Sequence, residues 1–426
     1  YHNPSAEFRL IGITGTNGKT TTSMLLYRAL MELGYCCGWI GTLGYYINDE
    51  HYSTHHTTPD ILELNQILSR MVEKGVKYVS MEVSSHALAL DRVYGLEFDY
   101  CLFTNLSREH LDFHQTMEEY GSAKKKLFEP TIQHKAVGLI NIDDNFGRKL
   151  FEELKGVNAY VYSIGTSDAD FIIRTEHSLL PYSTTGNRFS LQTPEGIINI
   201  RSSLLGSFNM NSLAMCAATL NLMGFEARQI EQCLNIAKPV KGRFEPVPND
   251  RGIKVFVDYA HTPDAMENVL QACQDLEHKR ILCLFGAGGD RDKGKRSLML
   301  QIALHYANAV IITDDNPRFE DPDAIIRDIV AGTELWFPWW IIRNRKEAIH
   351  SILRLAQAGD IVLLCGKGHE NYQEIEGVRY PFDDAEIASE FLHSETAFPL
   401  EPDELTLPVD KLMLELLAGI PLTVNG

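Results

Sequence analysis

The sequence predicts an α/β protein made of two successive strand–helix domains, and three observations predict it. Short apolar runs alternate with helix-like stretches along most of the 426 residues, the pattern of a mostly parallel sheet with helices on its faces. The turn-rich string Lys238-Pro239-Val240-Lys241-Gly242 interrupts that alternation, and a second series begins after it. The string Gly12-Ile13-Thr14-Gly15-Thr16-Asn17-Gly18-Lys19-Thr20-Thr21 joins the first strand to the first helix through a glycine turn.

Each element has its own warrant. In the first domain, 1–238, β-rich apolar runs predict strands at 8–13, 77–83, 98–104 and 136–142, with helices at 21–33, 60–74 and 117–128. From about 158 to 203 the pattern changes to short strands with the turn strings Thr184-Thr185-Gly186-Asn187 and Thr193-Pro194-Glu195-Gly196. Antiparallel hairpins attached to the same domain are expected there. Helices follow at 209–223 and 226–236. In the second domain, 239–396, elements at 253–258, 264–276, 280–285, 297–307, 308–313, 323–331, 346–357 and 360–365 predict a smaller Rossmann-like, doubly wound unit. The last stretch, 397–426, is an unassigned tail with one short apolar helix at 405–417.

Charge and cysteine usage exclude several classes. Lys plus Arg total 39 against 57 Asp plus Glu, a net charge of −18, which opposes broad nucleic-acid binding. An anionic substrate must therefore be held by local cations. No apolar run approaches the roughly 18–20 residues that span a bilayer, and no secretory signal is visible. The eight cysteines form no Cys-x-x-Cys pair, so free thiols in a reducing cytoplasm are expected and a zinc site is not.

The glycine turn reads as a phosphate cradle. Gly15 and Gly18 permit the tight turn, and the backbone N–H groups of Thr16, Asn17 and Thr21 at the helix start favour an anion. Lys19 supplies a point charge for the outer phosphates, and the Thr20 hydroxyl suits Mg²⁺. Ile13 stands where the longer form of this loop would have a glycine, so the loop is a shortened variant of the P-loop type. Glu82 ends the strand at 77–83 on the carboxyl edge, where α/β sheets place ligands, and can hold Mg²⁺ beside Thr20. His110 follows the neighbouring strand and can reach the same region; for His114 a structural role is equally open. The run Lys124-Lys125-Lys126 reads as a solvated helix face or as the source of one buried, modified lysine. In the second domain three strand-end loops, 286–292, 314–318 and 365–370, carry Arg291, Asp315, Arg318 and Glu370. Such a mixed-charge pocket fits a zwitterion.

Five ordered strings together resemble the Mur ligases, the ATP-dependent amino-acid-adding enzymes of peptidoglycan synthesis. They are Gly15-Thr16-Asn17-Gly18-Lys19-Thr20, Glu82-Val83-Ser84-Ser85-His86, Asn105-Leu106-Ser107-Arg108-Glu109-His110-Leu111-Asp112, Asp258-Tyr259-Ala260-His261-Thr262-Pro263 and Gly366-Lys367-Gly368-His369-Glu370. The string Asp315-Asn316-Pro317-Arg318 resembles the branch that adds meso-diaminopimelate. The resemblance implies that ATP activates the D-glutamate carboxylate of UDP-MurNAc-L-Ala-D-Glu as an acyl phosphate, which the diaminopimelate amine attacks. It implies Lys19, Glu82, His110 and Lys124 as catalytic groups. One Mg²⁺ is expected at Thr20 and Glu82, and another at His110 and a carbamylated Lys124, with Lys125 as fallback. By the same matching, Thr57, Thr58, Ser84 and Arg92 hold the muramoyl peptide, and Asn209, Arg243 and Asp258 the nucleotide. Arg291, Asp315, Asn316, Arg318, Gly366 and Glu370 hold diaminopimelate.

Leu90, Ser212 and Ser297 depart from residues common in relatives. Relatives also carry an N-terminal domain that grips the UDP moiety, on the order of one hundred residues; this chain is expected to lack it. The resemblance further implies a cytoplasmic monomer acting on small molecules, without nucleic-acid or membrane partners. An amide ligase of the folylpolyglutamate or MurT kind, acting on a non-UDP acceptor, is the alternative enzyme, and a non-catalytic nucleotide-binding scaffold the alternative of another class.

Overall fold

The structure, a computed structural model, describes residues 3–132, 136–156, 160–175, 182–183, 186–333 and 339–394. The predicted tail at 397–426 and the Thr184-Thr185 turn lie outside these residues. The chain forms two compact units, divided between Lys238 and Pro239.

In the first unit the strand Arg9–Thr14 occupies the middle of a 12-stranded sheet. Leu10 to Thr14 are all buried, which is what covering both faces of a parallel sheet demands of a strand. Its neighbours, Tyr78–Glu82 and Tyr100–Phe103, both run parallel to it. The loops leaving the carboxyl ends of these three strands therefore emerge side by side. That juxtaposition builds the site.

Beyond Tyr78–Glu82, Cys37–Gly41 pairs in parallel, and the antiparallel strands Gly44–Ile47 and Glu50–Tyr52 follow. The sequence pattern did not predict these three strands, because glycines and partly exposed tyrosines blur their alternation.

The expected run of hairpins between 158 and 203 needs correction. Val161–Gly165 joins Val137–Asn141 in parallel, and Phe171–Thr175 joins Val161–Gly165 in parallel. The helix Asn145–Lys155 carries the first of these crossovers, so a strand–helix–strand unit takes the place of the first hairpin. Among the described residues, antiparallel pairing in this region is confined to the contacts of Gly186–Thr193 with Tyr182–Ser183, Phe171–Thr175 and Gly196–Ser202. Helix Ser207–Leu222, buried around most of its circumference, packs on helix Lys19–Glu32. A helix covered on all sides needs apolar or small residues all round, and Leu213 to Ala218 provide them.

The second unit contains a six-stranded sheet in the order Glu245–Pro246, Lys254–Asp258, Ile361–Cys365, Ile281–Phe285, Ala309–Ile312, Trp339–Ile341. All pairings are parallel except the short first one. The last strand in sequence inserts between the first two long ones. The loops after Ile281–Phe285, Ala309–Ile312 and Ile361–Cys365 consequently rise from adjacent strands. A hairpin, Tyr372–Ile375 and Val378–Pro381, completes the unit; together with the edge strand Trp339–Ile341 it was not predicted. Among the described residues no helix is long and apolar enough to cross a membrane.

Candidate active site

The phosphate loop is held by its neighbour strand. Gly18 caps helix Lys19–Glu32 at φ 84°, a left-handed conformation that suits glycine. At Gly15 an added Cβ would lie 1.8 Å from Thr104 Oγ1, so no side chain fits. Thr104 Oγ1 donates to Asn17 O at 2.7 Å, and Asn17 N donates to Asn105 Oδ1 at 2.8 Å. Ser107 N donates to Thr16 Oγ1 at 3.0 Å. Thr104 and Asn105 thus shape the cradle, a role the sequence reading did not assign. Lys19 Nζ donates to the loop's own carbonyls, Gly15 O at 2.9 Å and Thr16 O at 2.7 Å. Thr20 and Thr21 are buried in the first helical turn.

Glu82 is fully buried, yet donors meet both of its carboxylate oxygens. Thr20 Oγ1 donates to Oε2 at 2.8 Å, and Thr42 N donates to Oε1 at 2.8 Å. Thr42 Oγ1 adds a third bond at 3.2 Å. A buried carboxylate is tolerable only when so compensated. Thr42 sits in the turn Gly41-Thr42-Leu43-Gly44, which carries no sequence signal for this task. A Cβ on Gly41 would come within 2.2 Å of Glu82 Oε1, so that turn is tied to glycine.

Lys124 is 1% exposed and donates to Gly15 O at 2.7 Å, above the Tyr120 ring at 4.3 Å from its centroid. Gly15 O therefore receives two lysine amines. Burial, and then the nearby Lys19 charge, hold the Lys124 amine well below the usual lysine range, with Glu109 opposing. The neighbouring lysines differ: Lys125 reaches the exposed Glu153 and Lys126 the Leu88 carbonyl.

His110 stands at φ 56° with its ring 6.1 Å from Tyr120 and 4.7 Å from His86. Its Nε2 lies 3.6 Å from Glu109. Tyr120 thus lies against both His110 and Lys124. His114 is buried with Nε2 3.0 Å from Ser85 Oγ, a structural arrangement.

The four residues matched to the muramoyl peptide form one chain of contacts. Thr57 Oγ1 is 3.3 Å from Thr42 Oγ1. Thr58 Oγ1 donates to Glu82 O at 2.8 Å and accepts from Ser84 N at 3.1 Å. Arg92 donates to Thr58 O at 3.1 Å. Ser84 also caps the short helix Ser85–Ala89. Among the nucleotide candidates, Asn209 stands in the first unit near the start of helix Ser207–Leu222, its Nδ2 bound to Leu205 O at 2.7 Å. Its buried Oδ1 has no hydrogen-bond partner among the described residues. Ser212, one turn on, has its Oγ 3.8 Å from where a Gly18 Cβ would be.

The remaining candidates belong to the second unit. Burial pushes Asp258 up to about 6, with Arg243 and the Phe244 and Ala260 N–H groups opposing. Arg243 stacks over Tyr259 at 4.7 Å. In the amino-acid pocket, Asn316 Nδ2 donates to Glu370 Oε2 at 2.8 Å, and a Cβ on Gly366 would be 2.5 Å from Asp315 Oδ2. Arg318 donates to Gly289 O at 2.6 Å. Its main chain, at φ 53°, is bonded to the hairpin strand: Arg318 N donates to Glu374 O at 3.1 Å and Glu376 N to Arg318 O at 2.8 Å. Gln373 Nε2 donates to Asp315 O, and Glu374 N to Asn316 Oδ1. Five of the six residues matched to diaminopimelate meet in this way. Arg291 is exposed at the rim, bonded to Asp290 O. Lys367, which the sequence reading left without a role, is buried at the centre of the pocket.

A cradle joined to a buried carboxylate in one unit, and a pocket of mixed charge in the other, are the parts of an ATP-dependent ligase of acids and amino acids. The chain belongs to the Mur ligase family: residues 13–220 match the Mur ligase middle domain and 242–368 the Mur ligase, glutamate ligase domain. It is similar to the UDP-N-acetylmuramoyl-L-alanyl-D-glutamate–2,6-diaminopimelate ligase of Bacteroides thetaiotaomicron, 42% identical over 92% of this chain and 80% of that relative. The Pseudomonas aeruginosa ligase of the same name is 44% identical over 92% of this chain and 79% of its own length. A solved structure with that name superposes with a TM-score of 0.63 at 37% identity, covering 91% of this chain and 79% of that one. A Mycobacterium tuberculosis folylpolyglutamate synthase superposes at 0.70 over 92% of each chain. At 16% identity that likeness shows the fold alone.

Proposed function

We propose that this chain joins meso-diaminopimelate to the D-glutamate carboxylate of UDP-MurNAc-L-Ala-D-Glu, with ATP giving ADP and phosphate. One observation carries the reading above the others: Asp315, Asn316, Gly366 and Glu370 converge in one pocket with Arg318 fixed on its wall. The relatives at 42–44% identity that bear this activity in their names support it.

The loop N–H groups and the Lys19 ammonium hold the ATP phosphates at the helix start, and charge moves from the transferring phosphoryl group toward them. Thr20 with Glu82, and His110 with a carbamylated Lys124, would hold two Mg²⁺ ions, which supply further neutralisation of phosphate charge. The residues fit: a hydroxyl already bonded to a buried carboxylate is a hard oxygen pair. Lys124 fits its part as a neutral amine, which adds to CO₂ and loses a proton to become an anionic carbamate. Thr57, Thr58, Ser84 and Arg92 would orient the muramoyl peptide beside Glu82. Asn209, Arg243 and Asp258 would contact the nucleotide. The reading extends to a cytoplasmic monomer acting on small molecules; eight free cysteines, seven of them buried, support a reducing compartment.

The test is phosphate release with ATP, the muramoyl dipeptide nucleotide and a panel of amino acids. Turnover with meso-diaminopimelate far above that with L-lysine is expected, and equal turnover would overturn the specificity. Arg318→Ala should lower kcat/KM for diaminopimelate by about 10- to 100-fold, the worth of one hydrogen bond to a charged group, while leaving the KM for ATP unchanged. Unchanged selectivity would remove Arg318 from the role.

A further inference from the structure

Two carboxylates occupy one buried pocket in the second unit. Asp315 is 7% exposed, and Glu370 is bonded to the same Asn316 amide that links the two loops. Like charges so placed do not both ionise without a counter-charge. Lys367, at 0% exposure, lies between them. Its Nζ donates to Asn316 Oδ1 at 2.9 Å and stands 3.4 Å from Glu370 Oε2 and 3.8 Å from Asp315 Oδ1. Because Asn316 Oδ1 accepts from Lys367 and from Glu374 N, its Nδ2 is left to face Glu370. Lys367 therefore fixes the amide's orientation as well as the charge.

We propose that Lys367 is a specificity-positioning residue, the fixed counter-charge that reduces the Asp315–Glu370 pair to one net negative charge and so fits the pocket to a single substrate ammonium group. The substrate half of this statement rests on the function proposed above; the charge half does not.

The other groups around the pair are accounted for. Arg345 is spent on the fully buried Asp384, through bonds of 2.8 and 2.6 Å. Arg318 stands on the wall, and His261 and Tyr372 complete the surroundings. Burial raises Asp315, but Lys367, then Arg345, Arg318 and His261, hold it below the usual range. Burial and the Asp315 charge push Glu370 up, against Lys367 and Asn316. The two titrate as a pair.

The experiment compares Lys367→Met, Glu370→Gln and the double variant in the full chain. Without Lys367 the carboxylates repel, a proton is retained on folding, and stability falls as pH rises through the raised pKa. The deficit in Tm of Lys367→Met should therefore widen from pH 5 to pH 8, and the double variant, with one carboxylate removed, should recover most of it. The KM for meso-diaminopimelate in Lys367→Met should stay within about threefold of wild type at pH 6, where the retained proton restores one net negative charge, and depart from it by about tenfold at pH 8.5, where that proton is lost. The KM for ATP should hold within twofold.

A deficit that is equal at every pH, or a double variant no better than Lys367→Met, would overturn the counter-charge. The Tm measurements decide that point whichever amino acid the enzyme uses. If wild type fails with meso-diaminopimelate but the Tm pattern appears, the substrate reading falls and the counter-charge stands.

Discussion

Lys124→Ala should release phosphate at about a thousandth of the wild-type rate or less, even with every substrate saturating. The buried amine shares the Gly15 carbonyl with Lys19 and sits on the Tyr120 face. As the carbamate proposed above, it would bring an anion to a place otherwise occupied by cations. Removing a preorganised electrostatic group from a dry site costs about 10²–10³ in rate, and losing the proposed anion would also remove part of the proposed metal site. Lys124→Arg decides between charge and carbamate. Arginine keeps the cation but does not form a stable carbamate, so it should be as inactive as alanine. An arginine variant near wild-type activity would sink the proposal. In the wild type, intact mass under CO₂-saturated buffer should show one added CO₂ that disappears in Lys124→Arg.

Glu82→Gln should lower turnover by about 10²–10³-fold, comparable to the loss of other preorganised charges, and raise the Mg²⁺ concentration needed for half-maximal rate. The substitution is nearly isosteric. A glutamine oxygen still accepts from Thr42 N, and the Thr20 hydroxyl can turn to accept from the new amide. The fold therefore survives and the charge alone is lost. Thermal unfolding should move little, which separates this outcome from collapse of the Gly41–Leu43 turn. A variant with unaltered Mg²⁺ dependence would remove Glu82 from the metal site.

The sequence revealed the central strand, the cradle and the three loops of the amino-acid pocket because each announces itself locally. Glycines mark the turn, Lys19 and Thr20 follow at fixed spacing, and largely apolar runs lead up to Glu82 and to the loop that carries Asp315. Glu82's partner Thr42 was not legible. It is supplied by a strand and turn inserted between the first two predicted helices, and only sheet pairing brings it to the carboxylate. Lys367 was hidden for another reason. A lysine inside a glycine-rich loop is normally solvated, and its burial depends on two other loops closing over it. Periodicity could not see the parallel joining of Val161–Gly165, because a βαβ unit and a hairpin can present the same strand pattern. Arg291, expected among the pocket residues, points to the Asp290 carbonyl at the rim, a direction that loop geometry alone decides.

The bonding between residues 315–318 and the hairpin at 372–381 bears on how substrate preference can be exchanged among relatives. The four-residue string owes its conformation to a borrowed strand. Two main-chain bonds clasp Arg318, and two more bonds, from Gln373 and the Glu374 amide, hold Asp315 and Asn316. Grafting those four letters into a lysine-using relative should transfer little; moving the hairpin with them should carry the preference across. The smallest transplantable determinant is thus a pair of segments more than fifty positions apart, about the spacing at which Gln373 reaches Asp315.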